Sequence, residues 1–81
     1  MTISIEFFGI QRMIAKTDGI KMPIDSDTRA IDALQFVKST YPDLPLEGGM
    51  VLITVNQEAA APDRLLRAND VICFIPGIGG G

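Results

Sequence analysis

Hydrophobic positions along this chain fall into blocks of two periodicities. Ile3-Ser4-Ile5-Glu6-Phe7 alternates with period two, which predicts a half-buried strand with Ile3, Ile5 and Phe7 facing inward. Phe8 then falls on the opposite, outer face. Gly9 breaks the alternation, and Ile10 to Ala15 reads as a short helical turn. Asp18-Gly19 is a turn signal, after which Ile20-Lys21-Met22-Pro23-Ile24 alternates again. Pro23 has no N–H to give to a ladder, so this second strand belongs at a sheet edge.

The period then changes. Asp25-Ser26-Asp27-Thr28 offers several N-cap residues for a helix from Arg29 to Tyr41. Ile31, Leu34, Val37 and Tyr41 recur at helical spacing with Ala30 and Ala33 beside them, an apolar stripe that reads as core. Pro42 and Pro45 stop the helix. Leu44 to Gly49 is loop, and Met50-Val51-Leu52-Ile53-Thr54-Val55 is a third strand whose near-continuous apolarity predicts cover, or partial cover, on both faces. Asn56-Gln57 is a turn, Leu65 and Leu66 are expected to plug the core from a short connection, and Asn69-Asp70 turns the chain into a last strand, Val71 to Ile75. A lone helix between pairs of strands predicts an α+β sheet of four to five strands with the helix across one face. Closing that sheet brings the last strand beside the first. Ile72 and Phe74 then join Ile3, Ile5 and Phe7 inside, while Cys73 and Ile75 share the outer face with Phe8.

Composition narrows the chemistry by exclusion. Eighty-one residues make one small domain. A net charge of −3 argues against nucleic acid or an anionic membrane as partner. The first residues lack the basic segment of a signal peptide, and one cysteine supports no internal disulfide, so the expected location is cytoplasmic. With no histidine, the usual serine and cysteine triads are absent, as are the usual zinc sites. No phosphate-binding glycine loop is present. Cys73 sits in mid-strand with no basic neighbour in sequence to lower its pKa, which makes it packing rather than a persulfide carrier. The chain is not equipped to be an enzyme by itself.

One feature remains. The apolar run ends at once in Pro76-Gly77-Ile78-Gly79-Gly80-Gly81. Glycine packs nothing and loses the most entropy when ordered, but no Cβ obstructs its passage through a narrow slot. A frayed end and a functional tail are both open readings of this feature taken alone. The expected division is a domain over 1–76 and a flexible tail over 77–81.

The strand order with the glycine end resembles the β-grasp, ubiquitin-like sulfur carriers of the MoaD/ThiS family. The resemblance spans essentially the whole chain. It is carried by Phe7-Phe8-Gly9 closing strand one, Val55-Asn56-Gln57 closing strand three, Leu66 to Asp70 before the last strand, and Phe74-Ile75-Pro76-Gly77-Ile78-Gly79-Gly80-Gly81 at the end. Length and the extended opening after strand one look more like MoaD, the molybdopterin-synthase small subunit, than like ThiS. Gly77 stands where the family often has a second proline, and Gly79 where it often has alanine or threonine, so this tail has extra slack.

The resemblance implies a chemistry on the chain's own carboxylate. A ubiquitin-activating-type enzyme (MoeB/ThiF-like) uses ATP to adenylate the C-terminal glycine, and sulfur from a persulfide donor displaces AMP to leave a thiocarboxylate on Gly81. Gly80 gives that group access. The chain itself binds no cofactor. Extended, the residues from Pro76 onward reach about 20 Å, enough to enter the active site of a sulfur-accepting, MoaE-like subunit while the body stays outside. Pro76 either stiffens the root of the tail or simply ends the strand. The resemblance further makes Phe8, Ala59 and Ile75 part of an apolar docking face, with Pro76, Gly77, Ile78 and Gly79 threading the partner; Ala59 is smaller than the residue usual there. A scattered surface position, or cover by a loop, is the other reading of Phe8. No processing step is expected beyond Gly81. A ubiquitin-like modifier joined through Gly81, a thiamine-type carrier, and an interaction module with an incidental tail are the alternatives.

Overall fold

The computed structural model describes residues 1–46 and 51–76. In chain order they form β1 (Thr2–Glu6), α1 (Ile10–Ala15), β2 (Gly19–Pro23), α2 (Ala30–Thr40), β3 (Val51–Val55), β4 (Glu58–Ala60) and β5 (Val71–Pro76). The five strands make one sheet in the order β2-β1-β5-β3-β4. β1 pairs β2 antiparallel and β5 parallel, and β3 pairs both β4 and β5 antiparallel. A parallel first and last strand needs a crossover, and α2 lies within it. β2 sits at the edge that Pro23 requires.

Alternation does the sorting within each strand. Ile3, Ile5, Ile53, Val55, Ile72 and Phe74 are buried in one core with Ala30, Ala33 and Val37 of α2. Phe7 continues the inner row of β1, and its ring meets Tyr41 edge-on at 5.5 Å between centroids, joining the end of β1 to the end of α2. The helix presents the expected stripe, but centred on its small residues. Ala30, Ala33 and Val37 are fully buried, while Ile31 and Leu34 flank them half-buried. Bulky strand side chains already occupy the space between the layers, so the helix docks through its smallest residues.

The start of α2 also departs from expectation. Asp25 and Thr28 close a turn of their own, with Asp27 N–H on Asp25 Oδ1 (2.8 Å) and the Thr28 hydroxyl on the same oxygen (3.1 Å). The N-cap is Arg29, whose N–H donates to Asp32 Oδ2 at 2.8 Å. The next two donors, Ala30 and Ile31, reach the carbonyls of Arg64 and Pro62, each at 2.8 Å. A neighbouring connection thus satisfies orphan donors that side chains usually cap.

Two further expectations are corrected. Of the pair expected to plug the core, Leu66 is buried but Leu65 is exposed. The outer face of β3 has less cover than its apolarity predicts: Thr54 is half-buried but Leu52 is 48% exposed. β4 was not foreseen as a strand, since Glu58-Ala59-Ala60 has little β propensity. It forms because Asn56 (φ 53°) and Gln57 (φ 71°) both take the left-handed conformation of a two-residue hairpin loop.

Candidate functional site

The sheet has a helix on one face and none of its own described helices laid across the other. Register shows what the open face carries. Thr54 stands beside Ala59 on one side and Cys73 on the other, and Cys73 beside Glu6. In the next row Leu52 pairs with Ile75. Phe8 lies two residues past Glu6 on the same side and is 42% exposed, so no described loop covers it. Phe8, Ile75 and Ala59 therefore share one face, as expected, with Ala59 in the row farther from the chain end. Pro76 has the opposite parity, is half-buried, and pairs with Val51. Gly77, Ile78, Gly79, Gly80 and Gly81, the expected tail, lie outside the described residues.

Leu52 is the residue that sequence reasoning missed. Its signal was present: in a strand whose Ile53 and Val55 point inward, Leu52 must point out. Ile10 and Met13 of α1, which follow Phe8 in sequence, are exposed as well. Gly9 makes the turn into α1 possible. Its φ of 59° with ψ of −134° is a conformation that side chains disfavour.

The Cys73 thiol is half-buried on this face. Burial pushes its pKa up, the Glu6 carboxylate pushes the same way, and a hydrogen bond with Thr54 opposes them. It is held as a neutral thiol, a poor nucleophile.

A polar network secures the entry to β5. The buried Asp70 accepts from Asn56 Nδ2 at 3.0 Å and from the Arg67 N–H at 2.8 Å. Asn56 Oδ1 accepts the Val71 N–H at 3.0 Å, and the Asn56 N–H returns to the Val71 carbonyl at 2.7 Å. The exit from β5 is held differently. Gln11 of α1, only 2% exposed, donates Nε2 to the Phe74 carbonyl at 2.7 Å. Its Oε1 faces the Phe8 N–H at 3.5 Å.

The model of the ThiS family matches residues 5–81. The chain belongs to the ThiS family. Among solved structures, SAMP1 from Haloferax volcanii superposes with a TM-score of 0.82 at 21% identity, covering 100% of both chains. A putative molybdopterin converting factor, subunit 1, from Pyrococcus furiosus gives 0.80 at 21% identity, covering 95% of this chain and 98% of its own. A chain of the Amycolatopsis orientalis BexX/CysO complex gives 0.67 at 12% identity, covering 98% and 99%. At these identities the structures establish the fold, which is the ubiquitin-like β-grasp. A comparison with curated proteins returns no match. As a member of the ThiS family, this chain is of the ubiquitin-like carrier type, small and non-catalytic. Among its described residues, no helix is long and apolar enough to cross a membrane.

Proposed function

We propose that this chain is a sulfur carrier that works through Gly81. A partner adenylating enzyme of the MoeB/ThiF-like kind joins the Gly81 carboxylate to AMP with loss of pyrophosphate from ATP. A persulfide sulfur then attacks the acyl carbon and AMP leaves. A thiol cleaves the resulting acyl disulfide, ending in a disulfide with the donor and releasing a Gly81 thiocarboxylate. That sulfur passes to an acceptor in cofactor biosynthesis, with the small-subunit role in molybdopterin synthase, beside a MoaE-like subunit, as the favoured assignment.

The observation that carries this reading is the position of β5. It is the central strand, its Ile75 lies on the open face that also bears Phe8 and Leu52, and the glycine segment follows it directly in sequence. A paired strand gives the segment a fixed starting point, and an uncovered apolar face is what a docking partner recognises. The likeness to a putative molybdopterin converting factor subunit supports the same reading. The likeness to SAMP1, a small archaeal modifier protein, supports the second one, conjugation through Gly81 to lysines of other proteins.

Intact mass separates the two. Incubation with an activating enzyme, ATP and a persulfide donor is expected to add about 16 Da, one oxygen exchanged for sulfur. Isopeptide-linked ladders in extract without that gain favour the modifier. Deleting Gly80-Gly81 is expected to leave the fold and docking intact while abolishing the mass gain; undiminished function in the truncated chain defeats both readings.

A further inference from the structure

The parallel ladder between β1 and β5 begins with the Ser4 N–H donating to the Asp70 carbonyl at 2.8 Å. Parallel rungs recur at even spacing, two residues along each strand. The register pairs Ser4, Ile5 and Glu6 with Val71, Ile72 and Cys73. The same donor series therefore runs from Ser4 through Glu6 to Phe8, and its acceptors run from Asp70 through Ile72 to Phe74. The third rung, Phe8 N–H to Phe74 carbonyl, is the one replaced by Gln11. The side-chain amide stands between them, with its oxygen toward the Phe8 N–H at 3.5 Å and its nitrogen on the Phe74 carbonyl at 2.7 Å. One primary amide thus relays the rung just past the end of the β1–β5 pairing.

We infer that Gln11 is a positioning residue that holds the root of the tail. On its β3 side, β5 is paired as far as Pro76. On its β1 side, strand pairing ends at Cys73, and beyond it the Gln11 side chain bonds the Phe74 carbonyl. The same side chain ties that carbonyl to α1 and to the backbone of Phe8. The end of β5 is thereby tied to the backbone at Phe8. Strand pairing with β1 stops one residue earlier, so if the Gln11 donor is removed this buried carbonyl has no β1 rung to replace it. This inference rests on the proposed chemistry at Gly81 for its functional consequence, but not for its structural one.

Gln11→Leu is the test, since leucine fills similar space and cannot bridge. In the wild-type chain, NMR is expected to show coupling across the hydrogen bond from Gln11 Nε2 to the Phe74 carbonyl carbon. In Gln11→Leu, faster amide exchange at Ile75 and altered dipolar couplings at residues 74–76 are expected, with the β3–β5 pairing retained. In adenylation by a ThiF-like enzyme, kcat is expected to fall roughly tenfold while KM stays within about twofold, because docking survives and seating of the chain end does not. Gln11→Glu, which keeps length and shape but has no N–H when ionised, is expected to resemble Gln11→Leu, and it serves if leucine prevents folding. Absence of the wild-type coupling overturns the inference, as does a Gln11→Leu protein with wild-type dipolar couplings at residues 74–76 or with a wild-type kcat. Failure of the carrier reading looks different: the wild-type chain itself gains no adenylate, and the dipolar couplings alone then judge the bridge.

Discussion

Gly19 shows how a single residue can be fixed by space rather than by conformation. A Cβ added there would stand 2.6 Å from the Ile5 carbonyl oxygen, a backbone atom of the adjoining strand. Neither strand can yield without disturbing the β1–β2 pairing, in which Glu6 faces Gly19. Gly19→Ala is expected to destabilise the domain by about 1–3 kcal/mol, read as a lower denaturant midpoint at unchanged slope. Its place in the turn signal Asp18-Gly19 was legible in the sequence, but the carbonyl that excludes a side chain was not. The opposite faces of Phe7 and Phe8 were legible, because period two sends adjacent residues to opposite sides whatever the fold. Gln11 was the reverse: a polar residue in a short helical segment carries no local sign that it will be buried against a strand 63 residues away in sequence.

At the scale of elements, the hairpin of β3 and β4 and the entry to β5 behave as one unit because Asp70 joins them. Its two carboxylate oxygens are each used, one by Asn56 and one by the Arg67 N–H. Asp70→Ala leaves both donors without their partner in a position only 7% exposed. We expect a loss of about 1–3 kcal/mol, and Asp70→Asn, which keeps one acceptor, is expected to lose less; thermal unfolding of both variants measures the difference. The turn at Asn56-Gln57 was readable from residue type, whereas β4 was not. A three-residue strand with two alanines has no pattern of its own and is held by its turn and its neighbour. The helix stripe tells the same lesson. Helical spacing identified α2, but the choice among its apolar residues was made by the sheet against which it packs.

Across the whole molecule, the sheet separates packing from recognition. One face carries α2 and the core, and the other leaves Phe8 and Leu52 exposed beside Ile75. Phe8→Asp and Leu52→Asp are expected to weaken binding to an activating or synthase partner by tenfold or more, by analogy with central apolar anchors of interfaces (roughly 2 kcal/mol each). Their stability is expected to stay within about 0.5 kcal/mol of the parent, since neither side chain fills the core. Titration calorimetry paired with thermal unfolding reads both quantities. A fall in binding that merely tracks a fall in stability removes this face from the docking surface.

Local pattern was sufficient for the strands β1, β2, β3 and β5, for both helices, for the edge position of β2, and for the glycine ending that marks the family. These follow from side-chain periodicity, proline's missing N–H and glycine's missing Cβ, all properties of residues and their near neighbours. Long-range packing settled the rest: which residues of the α2 stripe are fully buried, that Leu66 and not Leu65 reaches the core, that the face bearing Leu52 and Phe8 is left open, and that Gln11 completes a rung of the ladder. Each of those depends on which atoms occupy the same space after the first and last strands come together. A one-dimensional pattern places residues on faces, but it does not say what stands opposite them.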